Sequence, residues 1–534
     1  MGKIICKNCG AEVLDNMRFC SSCGTPVDHT ALEEATADEV KPVEKQPLGP
    51  DKYKKFIKPL IAVIAVIILV SLVWNIFKPS KYEACKGMVY LFQSGDQVVI
   101  KQNGKAKIVV DGILYNKKNS LDGIRAAFLV KEEENSNFDD GYTLYLLDQS
   151  LKRVADSVFS FQLSLYGDAV AFTTEVDKGI GELCLYRKGK ISMVHSEFNV
   201  LNDFVISPDG NTVAYSNIDE DGELIGYYYN NGKQKELGKN IIPIAVSNGA
   251  KYVYYSKNDK LYVQKGDKSD TRVSLGEMFK ICAFNKDYSQ AIYASYSGNE
   301  KRTYITRNGG EKERLSGSID ELLLPYYSSI QYISNGFGDY RIIGGLTSFA
   351  DTYYIDGSSI YHIDDKFSTT RVTGNASVAH LAADGKTILF KRSDSVQKVD
   401  GSKKDAELVK IVEDEVITFF ATEDGKAVYY LNADDELYYQ KGKGKPVIVS
   451  NDMSSNDYYN HNFILFKGKQ LYYVSDGELY VSNGNKGTAV KGIDGDILYL
   501  YANQYAVVLH TEDNGDYFTY WSEDGKKFEL VGSN

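Results

Sequence analysis

Four cysteines open the chain in two pairs, Cys6-Lys7-Asn8-Cys9-Gly10 and Cys20-Ser21-Ser22-Cys23-Gly24. Two residues between cysteines let one tight turn aim both sulfurs at a single ion. The glycine after each pair accepts a positive φ, so the N–H groups of the turn can point at the thiolates. Two such knuckles supply four soft ligands, the tetrahedral set that zinc prefers. Iron in a four-thiolate site goes with a longer chain than the ten residues between Cys9 and Cys20. Disulfides would need an oxidising compartment. A segment of about 25 residues cannot build a core alone, so metal binding has to supply its folding energy. Four thiolates leave no open coordination position, which argues against catalysis at the metal.

The stretch CKNCGAEVLDNMRFCSSCGTPV, with Phe19 before the second knuckle and both glycines in place, is similar to the short zinc ribbon at the N-terminus of many bacterial membrane proteins. That resemblance covers residues 1–27 and implies Cys6, Cys9, Cys20 and Cys23 as ligands of one structural Zn2+. It implies no activity. The ribbon offers only Lys3, Lys7 and Arg18 as cations, so a structural or protein-contact role is expected and nucleic-acid binding is not.

Other chemistry is sparse. The remaining histidines after His29 are His195, His362, His380, His461 and His510, scattered with no HxH or HExxH spacing. There is no GxSxG elbow, no Walker A loop and no dinucleotide fingerprint. The strand pattern runs to Asn534, so no hydrolase domain beside it is expected. Asn217-Ile218-Asp219-Glu220-Asp221-Gly222 has the look of half a calcium loop, but Tyr228 stands where an EF-hand wants its Glu. A solvated hairpin is expected there. Cys85, Cys184 and Cys282 lie far apart, and free, buried thiols are expected rather than a bridge.

The elements that must carry these residues follow from composition. Residues 28–51 are rich in Glu, Ala, Thr and Pro and have no aromatic side chain, so they read as a flexible linker. Leu60 to Phe77 contains no charge. As a helix it would reach ~27 Å, close to a ~30 Å hydrocarbon core, so a single transmembrane helix is expected over 57–78. Lys52, Lys54, Lys55 and Lys58 precede it, against Lys78 and Lys81 after it. The positive-inside rule then puts the N-terminus in the cytoplasm and residues 82–534 outside, and a reducing cytosol suits four thiolates. Residues 1–59 hold nine of the 61 Lys/Arg and nine of the 72 Asp/Glu, so the whole net charge of −11 belongs to the large region. Such a region is a poor partner for nucleic acid.

Beyond Tyr82 short strands alternate with Gly, Asp and Asn turns, and 41 tyrosines favour strands. Ser207-Pro208-Asp209-Gly210-Asn211 runs into Val213-Ala214-Tyr215-Ser216. Related units recur at Ser247, Asp384, Asp424 and Lys467, with weaker ones near Asp122, Gly167, Asp287 and Asn503. Each unit continues through a second strand such as KLYVQKG at 260–266 and a third, polar one such as KQKELG at 233–238. A fourth, more apolar strand such as IIPIAVS at 241–247 is expected to close it. Four strands in about 40 residues is the period of a propeller blade. The segment ISPDGNTVAYS at 206–216 resembles the blade motif of TolB-type propellers. The expected fold is therefore mainly all-β: one large β-propeller, or two consecutive ones dividing near 326–350, beside a small zinc ribbon and one membrane span. About eleven units fit the length. The tyrosine clusters at 227–229, 254–255, 429–430 and 472–473 are expected to pack between blades rather than form an aromatic binding face.

These features fit a non-enzymatic scaffold in a bacterial cell envelope. Its external propeller would bind a protein, peptide or glycan, and its ribbon would contact a cytoplasmic protein. The alternatives are an envelope hydrolase or lyase with its site in the propeller channel, and a transmembrane sensor whose ribbon contacts nucleic acid. Replacing Cys20→Ser should abolish bound zinc, read by elemental analysis, and leave the β domain's circular dichroism intact. Unchanged zinc content would remove Cys20 from the ligand set.

Overall fold

The computed structural model describes residues 3–5, 12–14, 85–132, 141–177, 179–268, 270–274, 276, 278–325, 328–335, 338–451, 453 and 463–533. The chain forms two compact units, residues 1–79 and 80–534. In the first, Lys3–Ile5 and Glu12–Leu14 pair antiparallel, with Lys3 opposite Leu14 and Ile5 opposite Glu12. Cys6, Cys9, Cys20, Cys23, the linker at 28–51 and the apolar run at 57–78 lie outside the described residues. Among the described residues no helix is long and apolar enough to cross a membrane.

The described part of the second unit is built from ten consecutive sheets, mostly of four antiparallel strands in sequence order. They span 89–111, 113–199, 204–239, 241–272, 278–343, 321–374, 379–412, 416–450, 463–489 and 496–533. The sheet at 113–199 has seven strands because the 13-residue strand Leu151–Leu163 belongs to two units. Its first half pairs with Tyr142–Leu147 and its second half with Ala169–Asp177. Bulges mark the changeover between them.

The break in rhythm at 326–350 is an inserted hairpin. Strands Ile330–Asn335 and Gly338–Ile343 pair with each other, and the second joins Met278–Phe284 in parallel. One expectation needs correcting. The apolar strand Ile241–Val246 does not close the unit before it. It pairs with Val253–Lys257 and opens the next sheet, because a tight turn at 247–251 connects the two. The polar strand Lys233–Lys239 is left as the outer edge of its own sheet, where Lys233, Glu236 and Lys239 face water.

The turn before the second strand is the most repeated device. Ser207 is fully buried, and its Oγ accepts the Thr212 N–H at 2.9 Å while its O–H donates to Asp209 Oδ1 at 2.7 Å. The Gly210 N–H closes the turn onto the Ser207 carbonyl at 2.9 Å. Ser164 and Thr422 repeat the pattern with Asp168 and Asp424. Neighbouring turns are bonded to one another: Leu121 N–H to the Leu165 carbonyl, Ala383 N–H to that of Glu423, and Glu423 N–H to that of Gly468. Gly210, at φ +66°, lies so close to the preceding turn that a Cβ there would collide with Ala169 Cβ.

Packing between sheets uses adjacent tyrosines. Tyr254 and Tyr255, Tyr429 and Tyr430, and Tyr472 and Tyr473 point to opposite faces of their strands, yet all six are buried. Both faces of these sheets are therefore covered by neighbours. The hydroxyls find partners across the sheet gaps, as buried phenols must. Tyr429 donates to the carbonyls of Lys469 and Ser482, Tyr472 to that of Gly525, and Tyr293 to that of Val273. The cluster at 227–229 is only half-buried.

Two glycines separate conformational strain from crowding. Gly232→Ala, at φ +83° in open space, should cost about 1 kcal/mol. Gly210→Ala meets a collision as well and should cost about 3 kcal/mol, read as the difference in urea-denaturation free energy.

Candidate functional site

The last sheet lies against the first. Tyr90 and Val99 pack with Ala506, Val508, Trp521 and Val531. The Gly95 N–H donates to the Ser533 carbonyl at 3.0 Å, and Tyr90 Oη donates to Asn503 Oδ1 at 3.0 Å. Lys101 is buried, pairs with Glu529 at 2.5 Å and sits 4.9 Å over the Trp521 ring. The first sheet's other face packs on the second sheet through Leu91, Ile100, Phe128 and Val130.

Two adjoining cavities open where these sheets meet. One, of about 860 Å3, lies between strands Val89–Ser94, Ile113–Asn119, Asp496–Ala502 and Asp516–Ser522. The other, of about 520 Å3, is bounded by strands Ile113–Asn119 and Ile330–Asn335 and the turn at 502–505. Met88, Lys117, Asn119 and Tyr501 line both, so they form one groove. Tyr332, Tyr499, Tyr517 and Tyr501 remain 66%, 63%, 51% and 47% exposed there. No Asp or Glu is among the lining residues.

The polar groups of the groove divide into committed and available. Asn119 Nδ2 donates to the Val89 carbonyl at 2.8 Å, and Gln93 Oε1 accepts the Leu114 N–H at 2.7 Å. Asn503 caps its own turn by accepting the Tyr505 and Ala506 N–H groups. The Asn119 and Gln93 bonds hold the first sheet's inner strand to the second sheet through side chains. Lys117 Nζ donates to the Leu91 carbonyl at 3.0 Å, the one bond described for its three donors. Lys117 is exposed as a residue, and the partial burial of its ammonium end lowers its pKa. On the facing wall His510 Nδ1 is bonded to Thr519 Oγ1 at 2.9 Å, and its pKa is lowered by burial and then by the Lys117 charge. Cys85 lines the groove floor, hydrogen-bonded to the Gly87 and Asp122 carbonyls, and burial pushes its thiol up. It is a poor nucleophile in that state.

The other singled-out residues are dispersed. His195 is held by Tyr215 and Asn217, at 3.3 and 2.9 Å. His362 stacks on Tyr353 at 4.9 Å and faces Asp351 at 3.6 Å. His380 meets the Phe419 carbonyl at 3.2 Å and stands edge-on to the Phe419 ring. His29 and His461 lie outside the described residues. Cys184 is buried and Cys282 half-buried, and neither they nor Cys85 form a disulfide. Asp219 organises a hairpin turn by accepting the Asp221 and Glu223 N–H groups. Among the described residues no group of three or more His, Cys, Asp or Glu is placed to hold a metal. The hairpin of residues 3–5 and 12–14 brackets Cys6 and Cys9 in the sequence.

Residues 5–27 match the model of the zinc-ribbon domain. No match was found among curated proteins. Among solved structures, TolB from Acinetobacter baumannii is similar at 15% identity and TM-score 0.27, over 44% of this chain and 64% of that one. The tricorn protease is similar at 11% identity and TM-score 0.29, over 85% of this chain and 58% of that one. A GH74 enzyme from Niastella koreensis follows at 11% and 0.28, over 85% and 86%. The chain thus spans under two thirds of the first two.

Burial holds the His380 pKa down at about 4, against an ordinary value of about 6.5. Its stabilising effect is complete above about pH 6.5 and is lost as pH falls toward 4, because the unfolded chain takes up the proton first. The ring is only half-buried, which discounts the effect to about 2 kcal/mol. His380→Asn keeps a donor for the Phe419 carbonyl. It should flatten this part of the stability–pH curve, measured as urea midpoints between pH 4 and pH 7.

Proposed function

We propose that this chain is a non-enzymatic, membrane-anchored binding or scaffold protein of a cell envelope. Its β domain closes as a propeller outside the membrane and holds a ligand in the groove between its first and last sheets. Its zinc ribbon, with Cys6, Cys9, Cys20 and Cys23 on one zinc ion, contacts a protein partner in the cytoplasm.

The groove carries this reading. It is the place where exposed tyrosines, an ammonium group and an imidazole share one concave surface, the usual form of a ligand site. His195 and His380 are bonded into sheet walls, His362 stacks on Tyr353, and the three stand on different sheets. Membrane anchoring rests on the uncharged run Leu60 to Phe77 and the lysines that precede it. The acidic charge of the large region suits solubility outside a membrane and disfavours nucleic acid.

Protease shaving of intact cells, with mass spectrometry of the released peptides, tests the arrangement. Release of peptides from 82–534 alone is expected. Release of peptides from 1–50 would invert the topology and remove the envelope role.

A further inference from the structure

The groove has a charge pattern opposite to that of the domain around it. Beyond residue 77 acidic side chains outnumber basic ones, yet the described groove lining holds no carboxylate. It holds Lys117, with one described bond for its three donors, and His510 on the facing wall. Burial and then the Lys117 charge lower the His510 pKa, so the imidazole lies within reach of that ammonium group. Lys117 has no ion-pair partner among the described residues. By contrast, Lys101, at the back of the same seam, is paired with Glu529. A ligand carboxylate would supply what the protein omits beside Lys117, since charge-assisted bonds are the strong ones.

The rest of the surface narrows the ligand. The walls are rich in tyrosine rings, and the groove's amides each hold a bond within the protein. Asn119, Gln331, Asn503 and Gln504 all bond to the protein itself. Strands Ile330–Asn335 and Asp496–Ala502 are edge strands, each with a neighbour on one side only. Edge strands receive extended peptide backbone. We propose that the groove receives the carboxy-terminal end of an extended peptide, with its α-carboxylate at Lys117 and His510 and its last apolar side chains against Tyr499, Tyr501 and Tyr517. This deepens the binding reading above and rests on it.

The test uses the purified full-length chain and immobilised hexapeptides bearing every pair of Ala, Val, Leu, Ile and Phe at the last two positions. Each is made as the free acid and as the carboxamide, and octanoate and oligogalacturonate are offered in parallel. Some free-acid peptides should bind at least about tenfold more tightly than their amides. Lys117→Met should erase that preference, Lys117→Arg should keep it, and His510→Gln should weaken it, with unchanged circular dichroism in all three. Equal binding of acid and amide, an undiminished preference in Lys117→Met, or no binding by any peptide overturns the proposal. Capture of octanoate or oligogalacturonate without any peptide does so as well, in favour of that ligand class. None of these results bears on protease shaving, so the anchored arrangement stands or falls separately.

Discussion

A buried hydroxyl that closes a turn is the contact on which the β domain depends. Ser164, Ser207 and Thr422 each sit where the chain reverses between the first and second strands of a unit, and water cannot reach the N–H groups there. A buried amide left unpaired costs about 1–3 kcal/mol. The hydroxyl removes that cost, and the aspartate two residues on, or a little beyond, fixes the hydroxyl in turn. The closed turn then offers its own backbone to the next one. Leu121 to Leu165 and Ala383 to Glu423 to Gly468 are links of that kind. Spacing between sheets is thus set by hydrogen bonds at one end. The tyrosine pairs fill the space those bonds define.

Much of this was legible in the sequence. Ser207-Pro208-Asp209-Gly210 announces both the turn and its period, because glycine and aspartate have strong local reasons to be there. The burial of Tyr429, Tyr430, Tyr472 and Tyr473 followed from strand preference. The phase of the unit was not legible. An apolar strand such as Ile241–Val246 carries no mark of which neighbour it pairs with, and the hydrogen-bond partner was decided by the short turn after it. The double membership of Leu151–Leu163 was hidden for a related reason: a bulge costs one residue and leaves the alternation nearly intact.

The groove was illegible because it is made by residues hundreds of positions apart. Lys117 in the stretch ILYNKKN reads as an ordinary solvated lysine. His510 reads as one more scattered histidine. Only the meeting of the first and last sheets puts them on facing walls. The single local hint was Trp521, one of two tryptophans in the chain, which packs at that meeting and under Lys101.

That meeting also has a temporal meaning. Tyr90 bonds to Asn503 and Lys101 to Glu529, across more than four hundred positions of chain. Loop-closure entropy makes such contacts among the last to form, and a growing chain can make none of them until its final strands exist. The seam is therefore the youngest part of the folded molecule. A ligand held across it would bind the finished form and not its open precursors, and mass action would then make occupancy a clasp on the whole domain.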